Sequence, residues 1–329
     1  MSTADGAARP DHTDETDHAD LVELGRVRRA GWTRVVHGAH RQVEAPAGAP
    51  DLDLLAVQQV LPPSAVLTGL TAAGARGWWL PLLPDDVPVF ASTPRGSGRV
   101  RRPELRVART AGPAPTETLS GLRLSSAART LLDCGRLLGT LDLAIVVAGA
   151  LHAGGPRTAV EQAAHVPDAR GGPRLRAALG LVLDGAESAM EVVLGALCLV
   201  LGLDVEAQHE VRDADGQLVA RGDVWLRGTR TLVEYDGATH READAQRDDL
   251  RRDRRLGAVD WSRIAVTRHD LLGQVGALAR DLDRAAGRDH DPARLRPWRA
   301  LLRESTQTPA GTAWLRQRWA PRRMPPRAA

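Results

Sequence analysis

The residues best suited to chemistry in this sequence are acidic side chains on two neighbouring predicted strands. The segment that ends in LVEYDG is preceded by ARGDVWL, and Gly228-Thr229 stands between the two strands. A two-residue turn of the Gly-X kind at Gly228-Thr229 places Asp223 directly opposite Glu234. Asp236 lies on the same face as Glu234, because alternate strand residues point the same way. The spacing therefore predicts three carboxylates at one end of a hairpin.

Facing carboxylates require a compensating cation. Like charges at cross-strand positions destabilise a sheet by roughly 0.2–1 kcal/mol. Carboxylate oxygens are the ligands that Mg²⁺ prefers. We therefore expect Asp223 and Glu234 to bind Mg²⁺, with Mn²⁺ as the second candidate ion.

A further acid lies on the helix that precedes these strands. Residues 186–201 read AESAMEVVLGALCLVL and are apolar nearly all round after the first turn, which is typical of a buried helix. Glu187 is favoured in a first turn by the helix dipole alone. Glu191 would be costly as an unpaired buried carboxylate. We expect Glu191, but not Glu187, to belong to the site.

Five sequence pieces in this order and spacing resemble a known family. They are ESAMEVVL, Gln208, ARGDVWL, LVEYDGATH, and RDDLRRDRRL with the following Trp261. Together they resemble the PD-(D/E)XK superfamily and, more narrowly, the Vsr-like domain of very-short-patch-repair-related endonucleases. The resemblance implies a restriction-endonuclease-like mixed sheet flanked by helices, and DNA as the substrate.

The resemblance also implies roles for individual residues. Asp223 and Glu234 would hold Mg²⁺, and Glu191 would bind the metal or orient a water molecule. Asp236 stands where the family has a lysine, and it can bind metal or accept a proton but cannot replace the lysine's positive charge. His240 would compensate as a general base or as a contact to the scissile phosphate.

The charge-dense segment from Arg241 to Leu256 reads as a helix whose arginines mostly face solvent. Arg247 and Arg252, together with Asp249, match the family pattern. Two roles stay open for these arginines, holding the carboxylate strand in place or binding phosphate.

The first half of the chain carries a second resemblance. Its pieces VHGAHR, LTGLTAAGARGWWLPL and LRLSSAARTLLD are similar to AbiEi-type antitoxins, which are transcription regulators with a winged helix and an α+β domain. We expect a small hairpin around Gly31, a helix from Ser64 to Gly77 and a further helix capped by Ser125 or Ser126. Strands are expected at 87–92, 104–109 and 121–126. The chain has fewer residues ahead of the hairpin than a winged helix needs.

These patterns predict a two-domain protein of mixed α+β and α/β class. We expect a disordered acidic N-terminus at 1–20, an antitoxin-like α+β domain at 21–155 and a helical linker at 156–184. A nuclease domain is expected at 185–286. The basic tail at 287–329 either contacts phosphate or is a disordered solubilising segment.

Composition indicates a soluble globular protein, with 26% charged and 43% hydrophobic residues. The sequence contains no lysine, so its many arginines partly reflect codon usage and are weak evidence for nucleic-acid binding. Residues 1–20 fit no secretory or transit signal, and no apolar run has membrane-spanning length. We expect a cytoplasmic location and no membrane partner.

Two functions follow as hypotheses. The first is a metal-dependent DNA endonuclease in which a Mg²⁺-activated water attacks phosphorus. The second is a noncatalytic DNA-binding regulator that retains a nuclease scaffold. DNA is the expected partner of both, and a cognate toxin or a repair protein is a further candidate partner.

Overall fold

The computed structural model describes residues 18–28, 30–44, 49, 51–237 and 243–320, with the side chains at 18–19 and 243–249 left out of the description. Within these ranges the chain is a mixed α/β protein with three sheets and twelve α-helices. No helix in the described ranges combines the length and apolar character needed to cross a membrane.

An antiparallel three-stranded sheet lies near the N-terminus, in the order β1-β3-β2. Its strands are β1 Val22–Leu24, β2 Trp32–Val36 and β3 Ala39–Gln42. The hairpin turns at His37-Gly38, where Gly38 has a φ of +82°, so the prediction of a hairpin around Gly31 was wrong in position. Gly31 instead precedes β2 in a turn of its own. Helix α1, Leu52–Gln59, packs on this sheet and was not predicted.

A five-stranded mixed sheet follows, in the order β6-β5-β4-β8-β7. Its strands are β4 Val66–Leu67, β5 Val89–Pro94, β6 Leu105–Thr110, β7 Thr116–Leu119 and β8 Leu122–Ser125. The three predicted strands correspond to β5, β6 and β8 and are confirmed. The helix predicted from Ser64 is wrong at its start, because Val66 and Leu67 pair with β5. Helix α2, Gly69–Ala75, begins only after Thr68.

Four helices then pack together: α3 Ala127–Leu137, α4 Thr140–His152, α5 Arg157–His165 and α6 Gly172–Leu179. Ser126 precedes α3, as predicted, but its side chain makes no capping hydrogen bond. Helix α4 is buried along almost its whole length, because it is apolar on every side.

The C-terminal half builds a four-stranded sheet in the order β12-β11-β10-β9. Its elements are α7 Ala189–Val200, β9 Val205–Arg212, β10 Leu218–Leu226, β11 Thr231–Tyr235, α8 Ala243–Gly257 and β12 Ser262–Val266. Neighbouring strands are antiparallel, except that β11 and β12 run parallel. Trp225 lies opposite Leu232, which is the register that a Gly228-Thr229 turn predicts.

Four more helices complete the described chain: α9 Arg268–Leu272, α10 Val275–Ala285, α11 Leu295–Arg303 and α12 Pro309–Trp319. Trp298 and Leu315 from the last two are fully buried in the main core. The alternative of a disordered tail is therefore wrong as far as Ala320, since its apolar residues find a core to join. The rest of the tail, 321–329, lies outside the described residues, as do residues 1–17 of the expected disordered N-terminus.

One continuous core joins the two halves of the chain. It contains Leu131 and Ile145 from the first half and Val193 and Leu282 from the second. Leu175 of the predicted linker is buried in the same cluster. The helices at 157–179 therefore pack as part of the core.

Candidate functional site

The first turn of α7 and the strands β9, β10 and β11 bring Asp223 near Glu191 and near Glu234. Asp223 Oδ2 accepts a hydrogen bond from the backbone N–H of Tyr235 at 2.8 Å. The recorded ladder between β10 and β11 ends at Val224 and Val233, one residue before Asp223 and Glu234. The Asp223 carboxylate thus links the middle of β10 to Tyr235, the residue after Glu234.

The surroundings of Asp223 disfavour its negative charge. Burial is the largest influence raising its pKa, and the nearby Glu191 and Glu187 carboxylates raise it further. The Tyr235 N–H and the Arg252 guanidinium act in the opposite direction without cancelling the effect. Additional positive charge at this position would therefore be favourable.

Glu234 is buried, with 6% of its surface exposed, and two arginines bind it. Its Oε1 lies 2.7 Å from Arg252 Nη2, and its Oε2 lies 3.4 Å from Arg263 Nη1. Burial raises the pKa of Glu234 in spite of both guanidiniums. Both oxygens of Glu234 are thus already engaged in this structure.

Glu191 is half-buried, and hydrogen bonds supply partners for its carboxylate. It occupies the first turn of α7, where its N–H donates to Ser188 Oγ at 3.2 Å. Its Oε2 accepts from Glu187 N at 2.7 Å and from Gln208 Nε2 at 2.9 Å. Glu187 is exposed and paired with Arg221, and it lies before the N-cap Ser188, so its predicted place in the first turn of the helix was wrong.

Gln208 is a site residue to which the sequence analysis assigned no role. It lies within β9 with a φ of +54°, a conformation that costs a non-glycine residue about 1–2 kcal/mol. Its neighbours Ala207 and His209 pair with Val224 and Gly222, so Gln208 stands across from Asp223. Strained backbone of this kind concentrates at functional sites. Nothing in the local sequence indicates it, because glutamine carries no turn preference.

The structure describes only some of the remaining predicted residues. Asp236 N donates to Val266 O at 2.8 Å, which ties the end of β11 to β12. His240 and the side chains of Arg247 and Asp249 lie outside the described residues. Arg252 also donates to the Arg221 carbonyl oxygen, so in this structure it holds the carboxylate strand in place.

The oxygen atoms left for a cation belong to Asp223 and Glu191. Among the described residues, Asp223 Oδ1 and Glu191 Oε1 have no hydrogen-bond partner, whereas both Glu234 oxygens do. No group of three or more Asp, Glu, His or Cys side chains in those ranges comes together closely enough to hold a metal ion. Mg²⁺ is commonly bound by one or two carboxylates together with water and substrate phosphates. The described residues therefore fit a site with two carboxylates, and not the predicted cluster of three.

The arrangement can hold a hydrated divalent cation at the mouth of the β10–β11 hairpin. It could also accept a proton at the open Glu191 oxygen. Comparison of the chain with protein-family models, curated proteins and solved structures finds no match.

Proposed function

We propose that the chain is a metal-dependent DNA endonuclease of the PD-(D/E)XK, Vsr-like type that hydrolyses phosphodiester bonds. The succession of α7, three antiparallel strands, α8 and the parallel strand β12 supports this proposal, because it is the order of elements that the resemblance implies. The observation that carries it is Asp223, oriented by the Tyr235 N–H with one oxygen open beside Glu191.

In this proposal Asp223 and Glu191 hold Mg²⁺ or Mn²⁺. The ion would activate the attacking water and stabilise the charge that develops on the phosphate and the leaving 3′ oxygen. Gln208 holds Glu191 Oε2, which leaves Oε1 to orient the water or accept its proton. Glu234, bound by Arg252 and Arg263, keeps β11 in position beside the site.

Asp236 and His240 complete the proposed set. Asp236 stands in the position of the family's lysine, where it can bind metal or accept a proton, and His240 would act as a general base or contact the scissile phosphate. The raised pKa of Asp223 supports a cation at that carboxylate, because a carboxylate that burial destabilises gains most from a bound cation.

A cleavage assay tests the proposal. The protein is incubated with supercoiled, nicked and mismatched DNA in Mg²⁺ or Mn²⁺, beside Asp223→Asn and the exposed-loop control Asp215→Asn. The wild type and the control should cleave at the same rate, and Asp223→Asn should be slower by about a hundredfold or more. Equal behaviour of all three proteins on every substrate would sink the nuclease proposal.

One observation favours a second candidate, a noncatalytic DNA-binding or antitoxin-like regulator. Arg252 and Arg263 occupy both oxygens of Glu234, the acid that the resemblance assigns to the metal. This candidate predicts DNA binding that is independent of Mg²⁺ and unchanged by Asp223→Asn, with no cleavage by any form of the protein. Co-purification with a cognate toxin would support it further.

A further inference from the structure

A groove lined by arginines is formed by residues that are distant in sequence from the carboxylate site. It has a volume of about 570 Å³ and lies where the end of α3, the start of α6 and α12 meet. Arg136, Arg170, Arg174 and Arg318 line it, and none of its described lining residues is acidic. The arginines of these three segments therefore concentrate positive charge in one groove.

The nearby acids neutralise only part of this charge. Asp133 lies 3.2 Å from Arg136 but also 2.8 Å from Arg129. Glu304 lies 3.3 Å from Arg174. Arg170 has no ion pair or hydrogen bond within the described part of the chain. Guanidinium groups in excess of carboxylates are suited to an anion, and their planar donors match phosphate oxygens in particular.

The arginines are held close together despite their mutual repulsion. The Cζ atoms of Arg174 and Arg318 lie 5.8 Å and 5.0 Å from the ring centroid of Trp314. Arg318 also donates to the Arg136 carbonyl oxygen at 2.7 Å. Burial, and then the charge of Arg174, lower the pKa of Arg318. An anion in the groove would relieve this repulsion.

Two glycines allow the backbone of α3 to pack closely against the start of α6, and these two segments form the walls of the groove. Gly171, with a φ of +99°, precedes α6, and a Cβ atom on it would collide with the Leu132 carbonyl of α3. A Cβ atom on Gly135 would lie 2.7 Å from the Gly171 oxygen. The positive end of the α6 dipole faces this junction and also favours an anion. Backbone packing between α3 and α6 therefore determines the shape of the groove.

The lining favours phosphate groups without an attached base. The lining consists of four arginines, two glycines and a proline, so it offers no aromatic ring on which a base could stack. Trp314, the neighbouring aromatic ring, is already covered by two guanidiniums and is not part of the lining.

We propose that this groove binds the phosphodiester backbone of a nucleic acid through Arg136, Arg170, Arg174 and Arg318. The choice of nucleic acid over free phosphate rests on the proposed function, whereas the phosphate chemistry rests on the groove alone. The groove would hold DNA by its backbone regardless of sequence, at contacts separate from the carboxylates.

The test measures DNA binding by the full chain in EDTA, where no cleavage takes place. Fluorescence anisotropy with a labelled duplex compares Arg170→Gln/Arg318→Gln with the control pair Arg280→Gln/Arg299→Gln. The control removes the same charge from exposed positions on α10 and α11. The groove pair should weaken binding about tenfold or more and reduce the slope of log K against log salt concentration by about two. The control pair should change binding less than about twofold.

Equal weakening by both pairs, or no weakening by the groove pair, would overturn the proposal. Arg170→Gln alone, which removes no described contact, gives the same readout if the double variant does not fold. Titration with inorganic pyrophosphate separates the two phosphate sources. If the groove pair loses pyrophosphate binding while its DNA affinity is unchanged, the assignment to nucleic acid fails. DNA binding in EDTA reports on the groove, whereas cleavage by the wild type and Asp223→Asn reports on the nuclease site, so the two failures are distinguishable.

Discussion

Gln208 shows how a single residue can shape the candidate site through its backbone. Its left-handed conformation within β9 brings its amide to Glu191 Oε2, 2.9 Å away. The register that brings Asp223 near Glu234 could be predicted from the Gly228-Thr229 turn, because a turn is a local property of the sequence. The conformation of Gln208 could not be predicted, because it depends on contacts with α7 and β10, which are distant in the sequence.

Substitution of Gln208 by glycine and by alanine tests this strain. In an ordinary strand, a glycine makes the protein less stable than an alanine does. At position 208, however, glycine can adopt the positive φ without strain, whereas alanine cannot. We expect Gln208→Gly to be more stable than Gln208→Ala by about 1 kcal/mol, measured by urea denaturation. Both variants should lose cleavage activity, because both lose the contact to Glu191. The reverse order of stability would show that the position carries no strain.

Substitution of Arg252 tests whether this residue has a structural or a phosphate-binding role. Its guanidinium lies 2.7 Å from the buried Glu234, so Arg252→Ala leaves that carboxylate with Arg263 alone. We expect Arg252→Ala to lower the free energy of unfolding by about 1–3 kcal/mol. Arg254→Ala on the same helix provides a comparison, because the Arg254 side chain is exposed. An unchanged stability combined with weaker, less salt-dependent DNA binding would instead assign Arg252 to phosphate.

At the scale of elements, predictions succeeded where the signal was local. The Gly228-Thr229 turn set the register of β10 and β11, and the serine at position 126 located the start of α3. Strand β4 was missed because it has only two residues and exists through its pairing with β5 and β8. Its residues therefore looked like the start of a helix.

The close approach of the C-terminal segment to α4 gives an element-scale prediction. Gly139 precedes α4, and a Cβ atom there would collide with the Glu304 carbonyl and lie 2.9 Å from the Glu304 Cβ. We expect Gly139→Ala to lower the free energy of unfolding by about 1–3 kcal/mol. Gly276→Ala on α10 is the matched control, because its Cβ atom would meet open space and alanine favours a helix. Equal effects of the two substitutions would show that the contact at Gly139 is dispensable.

At the scale of the whole molecule, a buried carboxylate joins α4 to the C-terminal part of the described chain. Asp142 on α4 is fully buried and accepts hydrogen bonds from Ser305 Oγ and from Thr306 N, the latter at 2.8 Å. The domain organisation was predicted from composition, which indicated a separate basic tail. The burial of Trp298 and Leu315 depends on contacts with distant helices, which composition does not report.

Asp142 makes stability depend on pH. Burial raises its pKa from 3.8 to about 6, although Ser305 and Thr306 oppose the shift. Its protonated form therefore stabilises the fold fully below about pH 4, and this contribution is lost as the pH rises through about 6. Relative to Asp142→Asn, the wild type should lose up to roughly 3 kcal/mol of unfolding free energy between these pH values. Urea denaturation across this range checks it, and parallel pH curves for the two proteins would contradict it.

Direct measurement of metal binding tests the central claim, that Asp223 and Glu191 together hold a divalent cation. Electron paramagnetic resonance of free Mn²⁺, titrated with the full chain, reports the number and affinity of bound ions. We predict one site in the wild type and in Asp215→Asn, about tenfold weaker binding in Glu191→Gln and none in Asp223→Asn. Mn²⁺ binding that survives Asp223→Asn unchanged, or that is lost only in Glu234→Gln, would contradict the claim.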